Sequence, residues 1–195
     1  MMRASQGELV QQRSDWGLWQ NKWFKIAVQA LLLIGFSAAT AFAKRLHPSM
    51  GIPSSSALFW LSMMVLARCT MNWHSAGTLV GVGTALFGIP FGLEQSFGQN
   101  LGSFAIAGFI LDIMMLIPKM NIRRWWGSIV CALVANMFQF GIIIYFSLTS
   151  PVIKHFQVVG LLNSVGLHVI FGIAAGLVGW SAFRGGQMGF RRLAK

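Results

Sequence analysis

Long apolar runs separated by short polar connections make up most of the chain. The runs cover residues 26–43, 57–70, 76–91, 101–117, 126–148 and 158–183. Most of them are long enough as helices to cross the roughly 30 Å hydrocarbon core of a bilayer. Pro90, Pro118 and Pro151 mark the ends of the third, fourth and fifth runs. The pattern therefore predicts an all-α, polytopic membrane protein built as a bundle of six transmembrane helices.

Composition supports lipid as the solvent. Of the 195 residues, 55% are hydrophobic and only 10% are charged, whereas soluble domains carry about 25% charged residues. The net charge of +11 lies at the ends of the apolar runs and forms no basic patch with interleaved aromatic residues, which argues against nucleic acid as a partner.

The lysines and arginines predict the orientation. With the amino terminus inside, twelve of them fall on the cytoplasmic side and three outside, as expected for a bacterial-type membrane protein. We therefore predict a multi-pass protein of a prokaryotic cell membrane with both termini in the cytoplasm. It would consist of a cytoplasmic N-terminal segment (1–22), a six-helix transmembrane domain (23–185) and a basic cytoplasmic tail (186–195).

A cleaved leader is the competing interpretation of the first run. Ala41, Phe42 and Ala43 resemble a signal-peptidase site. Such a leader would be about 43 residues long and would carry Glu8 and Asp15 ahead of its apolar segment.

Polar residues within the runs are the candidate ligand site, because buried polar groups are costly in lipid. Asp112 is the one acid inside a run, and counting from Leu101 places it about 16 Å deep, near the midplane. It is predicted to converge with other polar residues on the outer half of helices 4 to 6, and an aromatic residue on helix 2 would stack on a flat ligand. The predicted substrate-binding residues are Trp60, Asp112, Asn136, Gln139, Asn163 and His168. Interhelical hydrogen bonding is the alternative explanation, including a simple Asp112–His168 pair.

Two predicted external loops add candidates. They are residues 47–52 after helix 1, and Glu94, Gln95, Gln99 and Asn100 between helices 3 and 4. No catalytic motif, metal-binding spacing or phosphate-binding loop is visible, so we predict neither an enzyme nor a cofactor.

Small residues recur every four positions on three helices. They are Gly35, Ala39 and Ala43 on helix 1, Gly77 and Gly81 on helix 3, and Gly172 and Gly176 on helix 6. Such stripes permit close helix packing, either within one bundle or against another membrane subunit.

The order of these features resembles the substrate-binding S components of energy-coupling factor (ECF) transporters. The likeness covers residues 25 to 185 as an overall pattern. It rests on Ser-Ala-Leu-Phe-Trp-Leu at 56–61, Ala-Arg at 67–68, Gly-Thr-Leu at 77–79 and Gly-Phe-Ile-Leu-Asp at 108–112. The closest likeness is to the S components for hydroxymethylpyrimidine and thiamine.

The resemblance implies that the chain captures a small heterocyclic vitamin or precursor from outside. Its partners would be a membrane coupling subunit and two ATPase subunits. Docking would use small residues on helix 1, where Gly35, Ala39 and Ala43 fit the usual four-residue spacing and Ala27 and Ala30 depart from it. Two other classes fit the sequence, namely a small secondary carrier or channel and a non-transport membrane assembly subunit.

Overall fold

Six helices account for most of the residues that the structure describes. A computed structural model of the chain describes residues 22–46, 54–90, 97–149 and 160–193. The helices are α1 (Lys22–Leu46), α2 (Ala57–Thr70), α3 (Ala76–Gly88), α4 (Phe97–Met114), α5 (Trp125–Thr149) and α6 (Leu161–Leu193). The all-α prediction is confirmed. Residues 1–21 of the predicted N-terminal segment and the loop candidates at 47–52, Glu94 and Gln95 lie outside the described residues, as do the side chains of Gln99 and Asn100.

Three of the helices are long and apolar enough to cross a membrane. Their apolar segments are Lys22–Ala43, Trp125–Tyr145 and Asn163–Gly189. The other three, Ala57–Thr70, Ala76–Gly88 and Leu101–Met114, are shorter apolar helices. The length and composition of these helices indicate a helical membrane protein.

Helix α4 differs from its predicted bounds at both ends. It begins at Phe97, four residues before the predicted start, and ends at Met114 instead of residue 117. The amides of Met115, Leu116 and Ile117 donate to carbonyls three residues back, so the chain tightens into turns before Pro118. The α conformation is disfavoured for the residue before a proline, which explains why α4 ends early.

The two ends of the last helix also differ from prediction. Helix α6 begins at Leu161 and continues to Leu193, ten residues beyond the predicted end of the sixth run. Most of the predicted basic tail is therefore helical. At about 1.5 Å per residue, the 33 residues of α6 form a helix that is longer than a hydrocarbon core is thick.

The other five helices form an open arc around α2. The arc runs in the order α1, α3, α4, α5 and α6, and α2 contacts each of its members. Its buried side chains run along its whole length, from Ala57 to Cys69. The central helix thus joins all five others into one core.

Side-chain contacts give the relative directions of the helices. In α1 and α3, Gln29 bonds to Asn72 just before α3, and Ser37 to Val80, so these helices run parallel. In α5 and α6, Ser128 bonds to Gly176 and Asn136 bonds to His168, so these helices run antiparallel. We call the end where α1, α3 and α5 begin the proximal end, and the end where α2, α4 and α6 begin the distal end.

Candidate ligand site

Asn136 and His168 form a buried polar pair between α5 and α6, towards the distal end. Asn136 is fully buried and His168 is 4% exposed. The side-chain Nδ2 of Asn136 donates to the backbone oxygen of His168 at 2.6 Å and to Oγ of Ser54 at 3.3 Å. A backbone oxygen only accepts, so these contacts fix which side of the Asn136 amide is the nitrogen.

The backbone oxygen of Ser164 fixes the tautomer of His168. Its Nδ1 lies 2.7 Å from the backbone oxygen of Ser164 and must therefore carry a proton. In the neutral ring, Nε2 is then an acceptor, and the described residues offer it no donor. The ring of Phe140 lies against the imidazole, with centroids 4.2 Å apart and planes tilted by 36°, which holds the imidazole in place.

Asn136 provides a second acceptor without a partner. Its Oδ1 is buried and has no hydrogen bond within the described ranges. An unpaired buried carbonyl of this kind costs about 1–3 kcal/mol. Asn136 Oδ1 and His168 Nε2 together make this part of the bundle suited to a molecule that presents N–H or O–H donors.

Ser54 approaches this pair in an unusual conformation. Its φ of 64° lies in the left-handed region, which costs a non-glycine residue about 1–2 kcal/mol. The hydrogen bond from Asn136 helps to hold the turn before α2 against the site.

Three other predicted site residues differ in their accessibility. Trp60 is 1% exposed and packs edge-to-face on Phe104, with centroids 5.1 Å apart, so it is part of the core. Gln139 is half-buried on α5, beside Phe140, and Asn163 is exposed near the start of α6. Only Asn136 and His168, of the six predicted residues, are joined by a hydrogen bond in the described structure.

Asp112 lies elsewhere, and its predicted convergence with His168 is wrong. It is two residues from the end of α4, at the proximal end, because α4 begins and ends earlier than predicted. Oδ1 accepts from the amide of Gly77 at 3.0 Å, and Oδ2 accepts from the amide and hydroxyl of Thr78 at 2.7 and 2.8 Å. In the described residues α4 makes no contact with α6, so Asp112 and His168 do not form a pair.

Arg68 completes the Asp112 cluster and was missed as a candidate. Its Nε lies 2.8 Å from Oδ1 of Asp112, and its residue exposure is 7%. In the sequence, Arg68 counts among the basic residues that predict the orientation and belongs to the Ala-Arg pair at 67–68, and neither feature identifies it as the partner of Asp112. The available clue was that a lone acid in an apolar run requires a partner, and Arg68 is the one basic residue inside an apolar run before it.

The small-residue stripes have two different environments. A Cβ on Gly77 would lie 2.5 Å from the carbonyl oxygen of Gly108, and one on Gly176 would lie 2.7 Å from Cα of Ile129. These stripes serve packing within the bundle, as do Gly81 and Gly172.

The predicted docking stripe on α1 is not used in this way. Gly35 and Ala39 are exposed and Ala43 is half-buried. Nothing lies within 4 Å of a Cβ built on Gly35. This face of α1 is therefore free of contacts with the rest of the described bundle near Gly35.

Comparisons with known proteins identify no relative. No protein-family model, no curated protein and no solved structure matches the chain.

Proposed function

We propose that this chain is the substrate-capture subunit, or S component, of an ECF-type vitamin importer. It spans a prokaryotic cell membrane six times, with both termini in the cytoplasm, and binds a small heterocyclic vitamin or precursor from outside. A membrane coupling subunit and two ATPases then drive release inside. Under this orientation the proximal end faces the cytoplasm and the distal end faces outward.

The observation that carries this proposal is the pair of unpaired acceptors in the outer half of the bundle. Asn136 Oδ1 and His168 Nε2 lack donors among the described residues. A ligand with N–H groups, such as an aminopyrimidine, satisfies both without bringing a charge into the membrane. Phe140 beside the imidazole adds an aromatic surface for a flat ring.

The exposed stripe on α1 supports the partner assignment. Comparable glycine stripes on α3 and α6 are closed by neighbouring helices, whereas Gly35 and Ala39 face outward. A second membrane subunit approaches closest where the side chains are smallest. We therefore assign docking of the coupling subunit to Gly35, Ala39 and Ala43.

The substitution Ala39→Leu tests this assignment. The added bulk separates α1 from the coupling subunit, so we expect ATP-dependent uptake to be lost while ligand binding to the isolated chain is unchanged. The measurement is uptake of a labelled vitamin into cells that co-express the coupling module. Ala182→Leu is the control, because Ala182 is an exposed alanine on a different helix.

The alternatives give different results. A small secondary carrier or channel transports without the ATPases, and its rate does not respond to Ala39→Leu. A membrane assembly subunit binds no vitamin. Uptake at the wild-type rate by the Ala39→Leu variant, with the module present, would place the docking surface elsewhere.

A further inference from the structure

A polar cavity at the proximal end lies apart from the proposed ligand site. It encloses about 320 Å³ between the ends of α2 and α4 and the starts of α3 and α5. Its polar lining consists of Arg68, Asn72, His74, Asp112, Asn121 and Arg123. The volume is at the lower end of the range of small-ligand sites, about 300–1,000 Å³.

The one carboxylate in this lining is already satisfied. Asp112 receives three hydrogen bonds from Gly77 and Thr78 in the first turn of α3 and an ion-pair contact from Arg68. The positive end of the α3 dipole further stabilises its charge. The charge of Asp112 therefore repels a second anion in the cavity only weakly.

Arg68 has unused hydrogen-bonding capacity. It is 7% exposed, and its Nε lies near Asp112 without meeting hydrogen-bond geometry. No other described residue accepts from its guanidinium, which carries five N–H donors. Nε faces Asp112, so the four donors on Nη1 and Nη2 of this cavity-lining side chain are available to an oxyanion.

Arg123 is held beside Arg68 at the same cavity. Its Nε donates to the carbonyl of Cys69 at 3.0 Å, and its Nη2 donates to Oδ1 of Asn72 at 2.9 Å. These bonds orient the planar guanidinium in advance, and such forks match phosphate oxygens well. Two arginines against one aspartate leave a net charge of +1 in the lining.

We infer that this cavity binds a phosphate group, supplied either by an anionic lipid headgroup or by a free phosphate compound. The unpaired donors of Arg68 and the positioned fork of Arg123 contact the phosphate oxygens. The apolar side chains of Met115 and the largely exposed Leu116 also line the cavity, which suits the glycerol and first methylenes of a lipid. Basic pockets between transmembrane helices on the cytoplasmic side bind lipid headgroups in this way. The inference does not depend on the ligand-capture role.

The test uses the purified full chain in a neutral detergent. Binding of inorganic phosphate, of short-chain phosphatidylglycerol and of an anionic fatty acid without phosphate is measured by thermal stabilisation and calorimetry. Arg123→Gln removes one of the two guanidinium groups at the cavity. His74→Glu places a negative charge there without disturbing a described contact. Arg124→Gln is the control, because Arg124 is the exposed neighbour of Arg123 and does not line the cavity.

We expect phosphatidylglycerol to bind and the fatty acid not to bind. Arg123→Gln and His74→Glu each weaken binding about tenfold or more, since charge-assisted hydrogen bonds are lost or opposed, and Arg124→Gln leaves it within about twofold of the wild type. Equal binding of inorganic phosphate identifies a free phosphate compound as the source, and binding of the lipid alone identifies the headgroup. The inference fails if neither phosphate probe binds, if the fatty acid binds as well as the lipid, or if His74→Glu and Arg124→Gln have equal effects.

Discussion

Asp112 joins three helices at the proximal end. Its side chain on α4 bonds to Gly77 and Thr78 on α3 and pairs with Arg68 on α2. Both partners of the ion pair are less than 10% exposed. Removing one member of a buried pair is more damaging than removing an exposed one, because the other charge is left uncompensated.

We therefore predict that Asp112→Asn lowers the stability of the ligand-free protein. Breaking a buried pair costs about 3–5 kcal/mol, which corresponds to a Tm lower by about 6–20 °C for a chain of this size. Thr78→Val removes only the hydroxyl donor and should cost less, about 1 kcal/mol. Thermal unfolding in detergent measures both, and an Asp112→Asn variant as stable as wild type would contradict this role.

The sequence identified Asp112 as a residue that needs a partner, but not the partner itself. The depth estimate failed because α4 begins at Phe97, ahead of Leu101, and includes the polar residues between them. Asp112 therefore lies close to the carboxyl-terminal end of α4. The pairing with Arg68 depends on which helix ends meet in the fold, and no local pattern encodes that. In contrast, Asn136 and His168 were both predicted, because a polar residue inside an apolar run is visible directly.

Helix α4 packs against α3 along a seam where glycines bring the two backbones close together. A Cβ on Gly108 would lie 2.1 Å from the carbonyl oxygen of Gly77, and one on Gly81 would lie 2.2 Å from that of Phe104. Both clashes involve backbone atoms, which cannot rotate away. The close approach also brings Asp112 within reach of the first turn of α3.

Gly108→Ala should consequently destabilise the bundle by at least about 2 kcal/mol, the cost of overpacking a well-packed core. Gly35→Ala is the matched control, because nothing lies within 4 Å of its added Cβ. Alanine at that position is expected to be neutral or to stabilise α1 by about 0.5–1 kcal/mol. Thermal unfolding of the two variants under the same conditions compares them, and equal stabilities would argue against the α3–α4 seam.

The sequence predicted the presence of each helix better than it predicted the residues at which the helix begins and ends. Both bounds of α2 match the predicted run 57–70, and Pro53 with the three serines after it marks the start of the helix. The extension of α6 to Leu193 was not predicted, because the sixth apolar run was predicted to end at residue 183, just before Arg184. Likewise, the three small-residue stripes look alike in sequence, and only the packing distinguishes the free stripe on α1.

For the whole molecule, the basic residues at the proximal end predict the orientation in the membrane. Arg68, Lys119, Arg123 and Arg124 lie at or near helix ends there, and the chain-wide bias is twelve to three. Because cytoplasmic loops carry the excess of lysine and arginine, we expect the proximal end inside.

Reporter fusions test this orientation. A reporter that is active only outside the cell should be active after Phe97 and inactive after Asn72, after Met120 and at the carboxyl terminus. A cytoplasmic reporter should give the complementary pattern. Activity of the external reporter at either terminus would contradict both the orientation and the count of six spans.

Binding of a ligand by the unpaired acceptors of Asn136 and His168 is measured by calorimetry on the purified chain with a panel of heterocyclic vitamins and precursors. We predict that at least one compound with N–H donors binds the wild type and that His168→Leu weakens its Kd about tenfold or more, as expected for lost hydrogen bonds in a buried site. The control Gln187→Ala, an exposed polar position on the same helix, should leave the Kd unchanged. No binding by any member of the panel, or an unchanged Kd in a folded His168→Leu variant, would contradict the account.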